Sequence, residues 1–269
     1  MASYLHRTAT TEYLCCVPTL EDFSGAGRVG LAECKGTKKI IHSKFFSENV
    51  KKILSYLYPI KVGERKSDIS GQLELTLQNG ILILDSQHTN YSYGSVSHIL
   101  YYGLKKVGIK RVKEMKNILL LGVGAGCIIE LLQKIVGYKG QITGVELDPE
   151  IIKIATQHFG IGKVKNLTLH LADAQKYVQQ PNLPHYDLII IDIFQDDLMP
   201  PFLFTETFIA NVVKLLTPEG ALLHNTIRVT PAAEARNEAF WAMLNKHYNA
   251  QRFQKVEGTN ELFLVEKQK

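Results

Sequence analysis

The hydrophobic rhythm of the chain changes near Asn117. Upstream, Gln72-Leu-Glu-Leu-Thr-Leu-Gln78 alternates apolar and polar residues, the period of a half-buried strand. Asn79-Gly80 and a second apolar run, Ile81 to Leu84, follow. Asn and Gly tolerate the positive φ of a two-residue turn, so the pattern predicts a β-hairpin. Before it, Val50, Ile53, Leu54 and Leu57 keep helical spacing within 47–58, Pro59 ends the helix, and Gly63 to Ser70 reads as a polar loop. After it come a polar, aromatic loop from Asp85 to Gly94 and a helix with Val96, Ile99, Leu100, Leu104 and Val107 on one face.

From Asn117 onward, short apolar runs alternate with amphipathic stretches. Strands are expected at 117–121, 141–145, 167–171, 186–191 and 219–225, and helices at 125–136, 149–159, 173–179, 203–216 and 231–247. Asp148-Pro149 is a helix start, with Asp as cap and Pro in the first turn. The tail, 252–256 and 261–266 around Gly258, reads as an antiparallel pair at the sheet edge. The alternation predicts an α/β fold, a Rossmann-like three-layer sandwich on a mainly parallel seven-stranded sheet. The expected organisation is an unassigned extension at 1–46, a small domain with the β-hairpin and a linking helix at 47–115, and a nucleoside-binding domain at 116–269.

Composition narrows the function classes. The 269 residues are 45% hydrophobic and 21% charged, ordinary for a globular protein, and no apolar run is long enough to span a bilayer. The net charge of +5 is modest, and the Lys-rich stretch from Lys105 to Lys116 reads as a solvated helix end and loop. No nucleic-acid or membrane partner is expected. Cys15, Cys16, Cys34 and Cys127 form no CxxC spacing and no cluster with His, so neither a disulfide framework nor a metal site is expected. With no signal peptide recognisable, these residues point to a reducing, cytoplasmic compartment.

The candidate chemistry lies at the carboxyl ends of the expected parallel strands. Ile118 to Leu121 runs into Gly122-Val-Gly124-Ala-Gly126, where glycines let the backbone approach a ligand closely. A dinucleotide fingerprint needs Gly or Ala at position 127, which is Cys127, so a nucleoside without a pyrophosphate is favoured over NAD. Glu146 ends the second strand, where an acceptor-only carboxylate suits two ribose hydroxyls. The bland alternatives are a tight turn and a solvated strand end. Asp173, followed by Ala174, is a helix cap, an acceptor for an adenine amino group, or both. His170, between Leu169 and Leu171, reads as structural. Asp192 ends the fourth strand, and Asp196 and Asp197 follow in its loop. Three carboxylates so close together suit a cationic amine and a proton-accepting role, or form a solvated acidic loop. Phe194 either walls the adenine or plugs the core.

The order of these features resembles the spermidine synthases, the polyamine aminopropyltransferases, over roughly residues 70–225. It runs through the hairpin (Gln72–Asp85), Ser92-Tyr93, the helix, the Ile118–Gly126 loop, Glu146, Asp173-Ala174, Tyr186-Asp187 and Asp192. Ordinary class I methyltransferases usually carry an acid two residues before the first glycine, where this chain has Leu120, an apolar residue as in spermidine synthases. The resemblance implies a small N-terminal β domain ahead of a methyltransferase-type fold. It implies a co-substrate, S-adenosylmethionine or its decarboxylated form, at Gly122, Gly124, Gly126, Glu146, Asp173 and Ala174. It implies catalysis by Asp192 with Tyr93, a small amine or other small-molecule acceptor at Gln87, Tyr93, Asp196 and Asp197, no metal, and a homodimer as one assembly. The chain departs from the family at Ala125 and Gln195, where Asp is usual, and at Gly94-Ser95, where Gln-Glu is usual. A methyltransferase and a non-catalytic adenosine-binding relative are the alternatives.

Overall fold

Two sheets carry the fold. The computed structural model describes residues 49–86, 95–194 and 198–267. The chain divides into two units, Met1–Lys51 and Lys52–Lys269, and both sheets belong to the second. Residues 1–46, Gln87, Tyr93, Gln195, Asp196 and Asp197 lie outside the described residues.

The first sheet is antiparallel and three-stranded: β1 (Ile60–Ser67), β2 (Gly71–Gln78) and β3 (Ile81–Asp85). Asn79 (φ 52°) and Gly80 (φ 74°) make the β2–β3 turn, both in the left-handed region that the hairpin requires. Residues 49–54 form the helix α1. The polar loop expected over Gly63 to Ser70 is corrected: most of it is strand β1. Its residues Lys61, Glu64, Arg65 and Lys66 show no apolar alternation because the strand is a largely exposed edge. Its partner strand and charge pairing hold it. Lys61 Nζ lies 2.6 Å from Glu64 and 2.7 Å from Glu74 across the pair.

The second sheet has seven strands in the order β6-β5-β4-β7-β8-β10-β9. These are β4 (Asn117–Leu121), β5 (Gln141–Glu146), β6 (Leu167–Leu171), β7 (Tyr186–Ile191), β8 (Leu216–Ile227), β9 (Asn249–Val256) and β10 (Asn260–Glu266). Strands β4 to β8 pair in parallel, and β10 pairs antiparallel with β8 and β9. The helices are α2 (Ser95–Val107), α3 (Ile109–Glu114), α4 (Cys127–Glu130), α5 (Pro149–His158), α6 (Ala174–Tyr177), α7 (Glu206–Lys214) and α8 (Pro231–His247). A π-helical segment, Leu131–Val136, continues α4. Gly108 (φ 103°) breaks the basic stretch between α2 and α3, so the expected loop there is largely helix.

Alternation within each strand divides the core into two layers. Ile118 and Leu120 of β4 face α2 and α4, whereas Leu119 and Leu121 face α7 and α8. Both faces of the central strands are covered, which is why they read as continuous apolar runs. A third cluster joins the sheets: Leu73, Leu75 and Leu84 of the hairpin pack with Ala125, Ile151 and Ile154. No helix among the described residues is long and apolar enough to cross a membrane.

Candidate active site

Strand β4 ends beside the carboxyl end of its parallel neighbour β7. Gly122 donates its N–H to Val145 O at 2.9 Å, and Asp192 donates its own to Leu121 O at 2.9 Å. Gly122 has φ 89°, and a Cβ there would overlap the carbonyl oxygen of Asp192. Gly122→Ala therefore suffers both a left-handed backbone and a backbone collision. The expected cost is at least about 2 kcal/mol. A thermal unfolding midpoint within a degree of wild type would refute this account of the loop.

Glu146, at the end of β5, braces that loop. Its Oε2 accepts the N–H groups of Val123 and Gly124, each at 3.1 Å. Its Oε1 accepts those of Leu147 at 2.8 Å and Asp148 at 3.0 Å. An ionised carboxylate offers about four acceptor positions, so one side chain ties the glycine loop to the β5–α5 turn.

Asp148 caps α5 through the N–H of Glu150 at 2.8 Å and accepts the buried hydroxyl of Ser67. Ser67 in turn accepts the N–H groups of Ile69 and Ser70, both at 3.0 Å. The β1–β2 turn is thereby held to the strand-end loop, and Ile69 and Ser70 form part of the cleft wall. Asp173 caps α6, its Oδ1 accepting from the N–H groups of Gln175 at 2.7 Å and Lys176 at 3.4 Å.

Asp192 follows β7 and is partly buried, with Asn225 Nδ2 donating to its Oδ1 at 2.9 Å. Desolvation pushes its carboxyl pKa up to about 6, and the Asn225 hydrogen bond pulls against that rise. The group is thus close to half-ionised just below neutrality, the range in which a carboxylate exchanges protons efficiently.

These elements enclose a cleft of about 210 Å³. Gly122, Gly124, Glu146, Asp173, Ala174 and Asp192 line it together. Gly126 is not among the lining residues; it stands before α4 with φ 93°, and a Cβ there would run into Ile161. Phe194, Phe202, Ile128 and Ile151 supply apolar wall, while Glu146, Asp148, Asp173 and Asp192 supply carboxylates. No Lys, Arg or His lines the cleft among the described residues. No group of three or more His, Cys, Asp or Glu among them is arranged to hold a metal ion.

Several neighbours were not legible as site residues. Ser67, Ile69 and Ser70 sit in what reads as a polar loop, and Asn225 sits inside a strand run. Only the pairing of strands far apart in sequence brings them here. Ala125 is 2% exposed within the cluster between hairpin and α5, a position where a carboxylate would be desolvated without a partner cation. His170 lies on the edge strand β6, its ring 5.2 Å from that of Tyr177, and does not line the cleft.

Comparison with known proteins follows the same lines. Residues 97–232 match the family model described as the spermine/spermidine synthase domain. A polyamine aminopropyltransferase of Vibrio vulnificus is 25% identical over 151 residues, 55% of this chain and 50% of the relative. An eEF1A lysine and N-terminal methyltransferase of Bos taurus is 29% identical over 120 residues, 41% of this chain and 17% of the relative. The chain therefore spans half the length of the first relative and much less of the second. A probable spermidine synthase from Corynebacterium glutamicum superposes with a TM-score of 0.60 at 17% identity, over 76% of this chain and 79% of that one. This likeness speaks for the fold.

Proposed function

We propose, from the premise that the chain belongs to the spermine/spermidine synthase domain family, that it transfers an aminopropyl group from decarboxylated S-adenosylmethionine to a small amine. The observation that carries the reading is Asp192, its carboxyl pKa raised by desolvation, in the wall of a cleft lined by four carboxylates and, among the described residues, by no cation. Such a lining attracts cationic substrates and repels a donor that still bears a carboxylate.

The residues divide the work. Gly122 and Gly124 let the donor lie close to the backbone. Glu146 takes the ribose hydroxyls by giving up some of its backbone N–H partners. Asp173 and Ala174 flank the adenine, with Phe194 and Phe202 as apolar wall. The donor supplies a carbon already activated by its sulfonium. The acceptor nitrogen forms a bond to that carbon as the carbon–sulfur bond breaks, and methylthioadenosine leaves with the electron pair. Asp192 orients the nitrogen and takes its proton. Tyr93, Gln87, Asp196 and Asp197 complete the acceptor side. Positioning for in-line attack supplies most of the rate.

Methyl transfer from S-adenosylmethionine is the second reading, favoured by the similarity to the bovine methyltransferase and by Ala125 in the glycine loop. Titration calorimetry with the two donors separates the readings. The decarboxylated donor is expected to bind at least about tenfold more tightly, a difference of roughly 1.4 kcal/mol. Tight binding of S-adenosylmethionine with none of the decarboxylated form would overturn aminopropyl transfer in favour of methyl transfer.

A further inference from the structure

We propose that Thr259, Asn260 and Asn225 form a directional hydrogen-bond relay that orients Asp192, which makes Asn225 and Asn260 positioning residues for the reaction. The inference rests on the reading of Asp192 as the proton acceptor. Its basis is the geometry behind that residue. Asn225 Nδ2 donates to Asp192 Oδ1 at 2.9 Å, Asn260 Nδ2 donates to Asn225 Oδ1 at 3.0 Å, and Thr259 Oγ1 donates to Asn260 Oδ1 at 2.9 Å.

The direction of the chain follows from its first member. An ionised carboxylate only accepts, so Asn225 must turn its NH₂ toward Asp192. Its carbonyl oxygen then faces away and needs a donor, which among the described residues the NH₂ end of Asn260 supplies at 3.0 Å. The carbonyl of Asn260 is left to the Thr259 hydroxyl, which rotates freely to meet it. Asn225 and Asn260 are 1% and 8% exposed, so flipping either amide strands buried polar atoms. The relay thus favours an ionised Asp192 with Oδ1 occupied. Among the described residues, Oδ2 is left to the cleft.

The surroundings make the amides stand out. On the same face of β8 and β10, Leu223, Leu262 and Leu264 are buried in the apolar layer beneath α2. Two buried amides in that layer cost desolvation that leucines would not incur. A cation in place of Asn225 would hold Asp192 ionised but too weakly basic, and it would repel an amine. An apolar residue would leave the carboxylate uncompensated. A neutral donor, itself locked by a second amide, lies between these limits. The other titratable side chains lining the cleft are Cys127, Glu146, Asp148 and Asp173. None of them takes part in the relay.

The test is an NMR titration of the Asp192 carboxyl in the full chain, assigned by its loss in Asp192→Asn, alongside the acid limb of kcat/KM. Asn225→Ala is expected to raise the midpoint by about one pH unit. Asn260→Ala, at a position that does not line the cleft, is expected to raise it by about half a unit, because the Asn225 amide is then free to turn. Asn260→Ser serves if the alanine variant folds poorly. A lowered melting temperature with an unmoved midpoint in the Asn260 variants would overturn the relay and leave Asn260 a packing residue. The carboxyl titration needs no turnover. If the wild type transfers no aminopropyl group, the proposed function falls while the midpoints still decide the relay.

Discussion

Asp192→Asn removes aminopropyl transfer and spares nucleoside binding. The substituted side chain is isosteric, and its carbonyl can still accept the Nδ2 hydrogen of Asn225 that now reaches Oδ1 at 2.9 Å. What disappears is the proton acceptor, a contribution of about 10²–10⁴ in rate. The fold does not suffer. With a folded pKa of about 6 against the ordinary aspartate value of 3.8, Asp192 destabilises the folded state progressively as pH rises through that window, and fully above it. Asn carries no such penalty, so the variant should be at least as stable as wild type at neutral pH, and the two should converge in acid. In the wild type, kcat/KM should fall below about pH 6 as the carboxyl takes up its proton. Single-turnover assays and calorimetry with methylthioadenosine read both halves of this expectation. Retained turnover would remove Asp192 from the mechanism, and lost nucleoside affinity would mean that it serves the donor instead.

Glu146→Gln has the opposite pattern: weaker donor binding together with a less stable loop. Four backbone N–H groups converge on the carboxylate, from Val123 and Gly124 on one oxygen and from Leu147 and Asp148 on the other. Whichever way a glutamine amide turns, its NH₂ faces two of these donors. The Leu147 N–H is exposed and can turn to water, so the loss falls on the part-buried N–H groups of Val123, Gly124 and Asp148, at up to about 1–3 kcal/mol each. The variant should unfold at a clearly lower temperature and bind methylthioadenosine at least about tenfold more weakly. If the affinities for methylthioadenosine and both donors are unchanged, the ribose assignment is wrong. If only the affinity falls, Glu146 contacts ligand without bracing the loop.

The two substitutions separate two layers of the site. Glu146 organises the donor half through backbone groups, and Asp192 acts on the acceptor half through its charge. A chain that binds the nucleoside and never turns over would retain the first layer alone, as a non-catalytic adenosine-binding relative would.

Local chemistry was enough to determine much of this protein. The hairpin follows from Asn79-Gly80 between two apolar runs, because few residues tolerate positive φ twice in succession. The parallel sheet follows from strands such as Leu188 to Ile191, whose unbroken apolarity requires cover on both faces. The carboxyl-end positions of Gly122, Glu146, Asp173 and Asp192 follow from strand length alone. Strand β1 was not legible, since an exposed, charged edge carries no apolar period and is held by its backbone pairing with β2. The bracing role of Glu146 was not legible either: it depends on where four backbone N–H groups point, and no residue type encodes that. Asn225 and Asn260 lie 35 residues apart, one closing the expected strand 219–225 and the other just ahead of the expected strand 261–266, and neither position alone signals a partner. Only the antiparallel register of β8 and β10, with Asn260 opposite Ile227, brings the two amides together behind Asp192. Periodicity reports which face a residue occupies, whereas the partner it meets there is decided by the pairing of distant strands.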